Sequence, residues 1–498
     1  MEIVFLLAIP LFLPIMMQQD GLFKGTVYNF MNRAFLMLSA FILNIYASRF
    51  LGTDEFGHAQ FINWTAAFTW MIFNMGIPSI LSRFVPGASG KERFGQLLRH
   101  TLMLLMLALV LAFTTAIFIT GIRDEYLWAS LFLILMHMLN YFVVAWMQSF
   151  LLYRKVFMAQ SLAAACSLLS GVVMIPMYGL KAFVFCLVLL HTLGFVFLVF
   201  PWIKMMLYKW QTRSGEGLSA RLPMSSLYRT TVYLALSAML SSVLWQRSEF
   251  YFIKEKLSNT DIALYAVAFS LIALATEPFR MLTGTLTNYF AQRFNLKESS
   301  DDMFTKLYKQ LWLVTVFSCV FLWYYAQQVV LIFYHPLYKE AAVLVQLLLP
   351  GVFLGVCSYV VMSYQVAAGR ARFLFIQDFL SAALLIGLVM FLVDSNGIKG
   401  VAVSRSIALS FSVITGLIYS VWRLKLKFPF NFMLFSLGLS VTINFASTFL
   451  HPQDWPFLLG VGATSFLLYF FILKLTGVIS TNEMEELFTK VKGFLGWK

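Results

Sequence analysis

Long apolar runs alternate with short polar breaks along almost the whole chain. The runs fall near 27–49, 59–82, 101–120, 127–151, 156–177, 182–203, 230–253, 262–289, 310–334, 342–367, 373–393, 401–422, 430–449 and 457–474. Crossing about 30 Å of hydrocarbon takes roughly 20 helical residues, and these runs are of that length. None alternates polar with apolar at every second position, as a barrel strand would. A helix satisfies its own backbone hydrogen bonds inside lipid, so the pattern predicts helices. The expected fold is an all-α polytopic membrane protein with about 14 transmembrane helices.

The stretches between the runs define the rest of the organisation. Residues 3–17 are apolar but short, are interrupted by Pro10 and Pro14, and follow Glu2. Residues 1–21 therefore read as a half-inserted or interfacial lead. The basic, Gly- and Ser-containing stretch 204–229 reads as a cytoplasmic linker dividing six helices from eight. Residues 291–309 and the tail 481–498 read as amphipathic helices on the membrane surface. The expected division is 22–203 for an N-lobe, 230–422 for a C-lobe and 423–480 for two peripheral helices.

Charge sets the orientation. The 498 residues include 36 Lys and Arg against 22 Asp and Glu, and the basic residues lie mainly in short loops. If the segment before 27 is cytoplasmic, 26 basic residues fall on the cytoplasmic side. Only Arg49, Arg123, Lys181, Lys254, Lys256, Lys339 and Lys399 fall on the other. That asymmetry is the positive-inside pattern, and it places both termini in the cytoplasm. It is not a nucleic-acid-binding face. Cys166, Cys186, Cys319 and Cys357 all sit in apolar runs and read as small core residues, with no metal or disulfide spacing.

The chain also repeats itself. LGTDEFGHAQF at 51–61 matches LSNTDIALYAVAF at 257–269, aligning Thr53-Asp54 with Thr260-Asp261 at an offset of 207. KVFMAQ at 155–160 matches RFLFIQ at 372–377, and YGLKA at 178–182 matches NGIKG at 396–400, at offsets of 217 and 218. An even number of helices separates equivalent points, so the expected repeat is parallel, with cargo handled between two pseudo-symmetric six-helix lobes.

RFLGTDEFGHAQF with MGIPSILSRFVP, WQRSEFYFIKEKLSNTDIALYAVAF, LIFYHPLYKEAAVLVQLLLPG, AAGRARF and NGIKGVAVSRSIA resemble the Wzx-type polysaccharide flippases. These are polysaccharide-biosynthesis transporters of the MATE/MOP superfamily, and the resemblance covers roughly 22–475. It implies a two-lobed bundle of 12 or 14 helices that flips undecaprenyl-diphosphate-linked oligosaccharide for surface polysaccharide export. It further implies a bacterial or archaeal cytoplasmic membrane, with a polysaccharide polymerase and export machinery as candidate partners beside the lipid-linked glycan and membrane lipids. The family's small residues near Leu264-Tyr265 are partly replaced here.

Three arginines, Arg247, Arg280 and Arg405, fall inside apolar runs. A charge at the bilayer centre costs roughly 2.5–3.5 kcal/mol even on the lenient insertion scale. These side chains must face water, protein or an anion, and guanidinium is the stronger bidentate partner for a diphosphate. They are the candidate cargo contacts, with protein carboxylates as the competing partners. Glu249 and Glu277 are candidates for H+ or Na+ coupling or for charge pairing, since a carboxyl in a low-dielectric cavity can hold a proton. On an ideal helix Arg247 and Glu249 stand about 200° apart and do not meet. His137, Asn140, Trp146 and Gln148 on the fourth run are candidates for sugar contact, or for joining helices.

No cofactor, metal site or enzymatic chemistry is expected. PGASGKER at 86–93 lacks the leading Gly and the final Ser or Thr of a phosphate loop. The alternatives are a lipid II flippase, a MATE-like cation-coupled drug exporter, whose cavity would be acidic, and a glycan ligase or polymerase, which would carry large external loops.

Overall fold

The computed structural model describes residues 20–74, 76–85, 91–120, 126–212, 236, 239–240, 242–244, 246–280, 301–450 and 454–476, with single positions between 283 and 294. Among the described residues there are helices and turns and no strand. The helices are α1 (Asp20–Phe50), α2 (Thr53–Phe73), α3 (Ile77–Phe84), α4 (Lys91–Thr120), α5 (Leu127–Ser149) and α6 (Tyr153–Thr212). After a partly described stretch come α7 (Glu249–Lys256) and α8 (Asn259–Arg280). The chain continues with α9 (Asp301–Phe333), α10 (Ala341–Ala367), α11 (Ala371–Leu424), α12 (Phe430–Thr448) and α13 (Trp455–Leu475).

Nine described helices are long and apolar enough to cross a membrane. Two of them are too long for one crossing. At 1.5 Å per residue, α6 would extend about 90 Å and α11 about 80 Å. Each instead turns back at a glycine, Gly179 (φ 55°, ψ −132°) in α6 and Gly397 (φ 56°, ψ −140°) in α11. The limbs then pack on one another. The Ser167 hydroxyl donates to the Cys186 carbonyl at 2.7 Å, and Phe373 stacks on Tyr419 with centroids 3.7 Å apart. Each of these elements therefore supplies two crossings.

The repeat is visible in the backbone. Gly179 and Gly397 are 218 positions apart and share one unusual conformation. The turns before α6 and α11 also match at that offset, with Leu151 at φ 60° and Gly369 at φ 72°. Left-handed conformation is favourable only for glycine, so Leu151 is held there at a cost its counterpart does not bear.

The contacts divide the chain into two compact units, one of Lys24–Ala263 and one comprising Leu264 onward, with α8 contributing to both. In the first, α5 packs on α2, α3, α4 and α6; in the second, α9, α10 and α11 pack in sequence and α9 also meets α12. Apolar side chains such as Met103, Met106 and Val110 of α4, and Phe391 and Trp422 of α11, point outward as a lipid-facing surface requires. Buried polar groups join helices: Trp312 Nε1 donates to Ser436 Oγ at 2.9 Å, and Gln365 Nε2 to Ser420 Oγ at 2.8 Å. In lipid such bonds contribute about 0.6–2 kcal/mol each.

Several boundaries differ from the sequence reading. Residues 301–309 are the first turns of the continuous helix α9 and not part of a separate surface helix. The amphipathic pattern is that of a membrane helix emerging into the interface. Helix α6 runs to Thr212, nine residues into the expected linker, because the apolar pattern continues past the first lysine. Residues 1–19, 213–235 and 477–498 lie outside the described residues, and with them most of the lead, linker and tail.

Candidate functional site

The apolar run at 230–253 does not form one uninterrupted helix. Helical backbone at 242–244 gives way to a turn at 246–248, and α7 begins at Glu249. Arg247 sits in that turn at φ 56°. From Arg247 to the end of α7 is nine residues, about 14 Å of helix, so the break lies near the middle of a layer about 30 Å thick. No Pro or Gly stands between 242 and 250 to cause it. Side chains compensate for it instead. The Ser248 hydroxyl donates to the Val243 carbonyl at 2.7 Å, and Trp64 Nε1 of α2 donates to the Gln246 carbonyl at 2.8 Å.

A second break lies further along α2, about ten residues and roughly 15 Å from Trp64. Helix α2 ends at Phe73 and α3 starts at Ile77, with Gly76 in left-handed conformation at φ 67°. Asn74 folds over this gap, donating to the Met71 carbonyl at 2.8 Å and accepting from the Gly76 N–H at 2.8 Å. The Ser242 hydroxyl also donates to the Met71 carbonyl, at 3.0 Å, which ties the two interrupted helices together. Unwound backbone inside a membrane is tolerated only where protein or a water-filled cavity covers it.

Arg247 is half-buried, and its guanidinium lies 5.2 Å from the centre of the Phe250 ring. Glu249 is fully buried and is the first residue of α7. There the partial positive charge of the helix N-terminus favours a carboxylate. The 200° helical separation of these two residues does not apply, because Arg247 is not in helical conformation. The structure keeps both side chains at one break.

The polar residues of α5 face protein. His137 Nδ1 lies 2.9 Å from His191 Nε2 of α6, and the His137 ring stacks on Tyr141 with centroids 4.7 Å apart. Asn140 and Gln160 exchange two amide hydrogen bonds, Gln160 Nε2 to Asn140 Oδ1 at 2.8 Å and Asn140 Nδ2 to Gln160 Oε1 at 3.3 Å. Trp146 is completely buried between Phe94 and Phe150. Gln148 is half-buried and donates to Asn29 of α1 at 3.3 Å. The sequence reading does not single out His191, although it stands inside the apolar run 182–203, two runs beyond that of His137.

The remaining candidates belong to the other unit. Arg405 of α11 is 1% exposed, and its guanidinium lies 4.9 Å from the Phe269 ring of α8. The next residue fixes this helix closely to α10. Ser406 Oγ accepts from the Gly351 N–H at 2.8 Å, just past Pro350, and a β-carbon at Gly351 would collide with the Ser406 backbone. Glu277 is half-buried one turn before the end of α8, and the side chain of Arg280 lies outside the described residues. On the loop between α9 and α10, Tyr334 exchanges a 2.7 Å hydrogen bond with Ser270 of α8. Burial pushes the phenols of Tyr334 and Tyr338 up, so both stay neutral hydrogen-bonding groups.

A family model described as polysaccharide biosynthesis protein matches residues 22–292, more than half of the chain. No curated protein matches significantly. Among solved structures, the lipid II flippase MurJ in an inward closed conformation superposes with a TM-score of 0.68. It is 13% identical, over 91% of this chain and 100% of its own. An inward-facing multidrug resistance MATE family transporter of the MOP superfamily gives 0.60 at 14% identity, over 78% of this chain and 94% of its own. A MOP superfamily transporter from Pyrococcus furiosus, described by the reverse polarity of its binding pocket, gives 0.56 at 12% identity, over 83% and 98%. At such identities the likeness establishes the fold, which is that of the MurJ and MATE transporters.

Proposed function

Because the chain belongs to the polysaccharide biosynthesis protein family, we propose that it flips an undecaprenyl-diphosphate-linked oligosaccharide across the cytoplasmic membrane. It is a multi-pass membrane protein with a flippase and transporter fold. In this reading it works by alternating access, with both termini cytoplasmic and the glycan moving outward for surface polysaccharide assembly.

The observation that carries the reading is Arg247 at an unwound break near mid-membrane. A diphosphate crossing hydrocarbon needs fixed positive charge and hydrogen-bond donors at that depth, and a guanidinium supplies both. Trp64 of the neighbouring α2 and Ser248 of the turn itself hold the break with their side chains, so it does not result from fraying. Arg405 is covered by protein, so in this proposal it meets cargo only when the second unit opens. Arg280 of α8 is a further candidate cargo contact. Inward movement of H+ or Na+ on Glu249 or Glu277 would drive the cycle.

Likeness to the lipid II flippase fold supports a second reading, with a peptidoglycan precursor as cargo. Deleting the gene separates the two. Loss of surface polysaccharide in cells that still grow is expected here, whereas arrested growth and lysis would point to lipid II. A MATE-like exporter of cations fits less well, since the charge at the break includes a guanidinium. Unchanged drug susceptibility in the same strain is the expected result.

A further inference from the structure

His137 stands at the middle of α5, eleventh of 23 residues, and His191 lies twelve residues, about 18 Å of helix, beyond the turn at Gly179. That position puts them near mid-membrane. Each is 8% exposed, and their ring nitrogens are hydrogen-bonded at 2.9 Å. The pair is poorly suited to merely joining two helices. About one turn away, Asn140 joins α5 to the first limb of α6 through two amide bonds with Gln160, whereas His137 joins it to the second limb. The imidazole pair makes one bond and leaves Nδ1 of His191 buried with no hydrogen-bond partner. A buried unsatisfied polar atom costs about 1–3 kcal/mol.

We propose that His137 and His191 form a membrane-embedded proton-binding site within the Lys24–Ala263 unit, taking up one proton as a pair with Nδ1 of His191 as the receiving atom. When His191 Nε2–H donates to His137 Nδ1, the opposite nitrogen of His191 is a bare lone pair. A proton from water can bind there without breaking the bond between the rings, leaving one imidazolium and one neutral imidazole. The stacked Tyr141 ring lies against His137, and Trp70 of α2 lies 6.4 Å away. The Tyr141 ring presents its π-face, which favours a cation. Tyr141 is 37% exposed, which gives the pair one side that is not sealed by protein.

The ionisable surroundings are sparse. Helix α5 contributes Tyr141, and α6 contributes Cys186, five residues before His191. From α4 comes buried His100; Phe94 packs against Trp146, so the antiparallel run brings His100 opposite Asn140, about a turn from His137. On α2 the charged Asp54 and Glu55 lie at the far end, and His58 is engaged with Tyr126. The side chain of Arg83 on α3 is not among those described. The carboxylates described on α2 and α4 lie at the ends of those helices, and Glu249, the one placed near mid-membrane in this unit, stands on α7, so a proton loaded on the pair creates a charge that no carboxylate on the helices packed around it offsets. Loading and opening of the site are thereby linked, whatever the cargo.

The full-length protein, labelled with ring-15N histidine and reconstituted in phosphatidylcholine bilayers, tests this by solid-state NMR. The chain has only six histidines, so the rings can be assigned with single variants. The titration would run from about pH 8 to about pH 4, across the ordinary histidine value of about 6.5. One N–H···N coupled pair should appear and gain a single proton as a unit. His191→Gln should remove that step, and His100→Gln should leave it in place. Two rings titrating independently, or a pair that stays neutral throughout, would overturn the proposal. The wild-type titration decides the matter alone if His191→Gln does not fold.

Discussion

Thr53 and Thr260 hold their hydroxyl oxygens 3.4 Å apart across 207 positions of sequence. They are equivalent residues of the repeat, at the starts of α2 and α8, so the matching helix ends abut at matching positions. One turn on, Gly57 lies so close to Asn259 that a β-carbon would collide with the Asn259 carbonyl. Gly57→Ala should therefore destabilise the protein by about 1–3 kcal/mol, the usual result of overpacking. Gly52→Ala is the control, since nothing lies within 4 Å of the added atom. Thermal unfolding in detergent should separate the two variants.

The paired hairpins make a second prediction. Gly179 and Gly397 both combine positive φ with strongly negative ψ, a conformation that costs other residues about 1–3 kcal/mol. Gly179→Ala and Gly397→Ala should lose similar amounts of stability. Around Gly397 there is open space, so its loss would be backbone strain alone. A much smaller loss at one site than at the other would argue against a shared backbone role.

Both glycines were legible from the sequence because each stands in a recurring five-residue string and turns, by themselves, depend on glycine. The break at Arg247 was not legible. Residues 242–250 contain no helix breaker, and the contact that satisfies the turn's Gln246 carbonyl comes from Trp64, 182 positions away. The charged residues could be singled out by cost alone, whereas their conformation is set by tertiary contacts. The same limit hid the start of α9: 301–309 have the charge pattern of a surface helix, and only continuity with the apolar turns that follow shows their role.

The amide pair on α5 and α6 separates joining helices from binding sugar. Asn140→Leu should cost about 0.6–2 kcal/mol, and Asn140→Leu with Gln160→Leu less than the sum, since the double variant leaves no orphaned amide. A double-mutant cycle by thermal unfolding measures the coupling. Polysaccharide export should persist in any of these variants that folds. Export lost at full stability would assign Asn140 to the glycan.

Backbone and side-chain roles of Arg247 can also be told apart. A non-glycine residue in left-handed conformation carries about 1–2 kcal/mol of strain. Arg247→Gly should relieve it, giving a protein at least as stable as the wild type with no surface polysaccharide exported. Restored export in that variant would show that the turn matters and the guanidinium does not.

The most direct measurement is flipping itself. Purified protein is placed in liposomes with a fluorescent undecaprenyl-diphosphate-linked glycan, and outer-leaflet label is followed by a membrane-impermeant quencher. Wild-type protein should exchange the lipid between leaflets well above protein-free liposomes. Arg247→Ala, reconstituted to the same level and equally folded, should fall to the protein-free rate, with Arg247→Lys between. Equal flipping by wild type and Arg247→Ala would contradict the central claim that this guanidinium carries the diphosphate across.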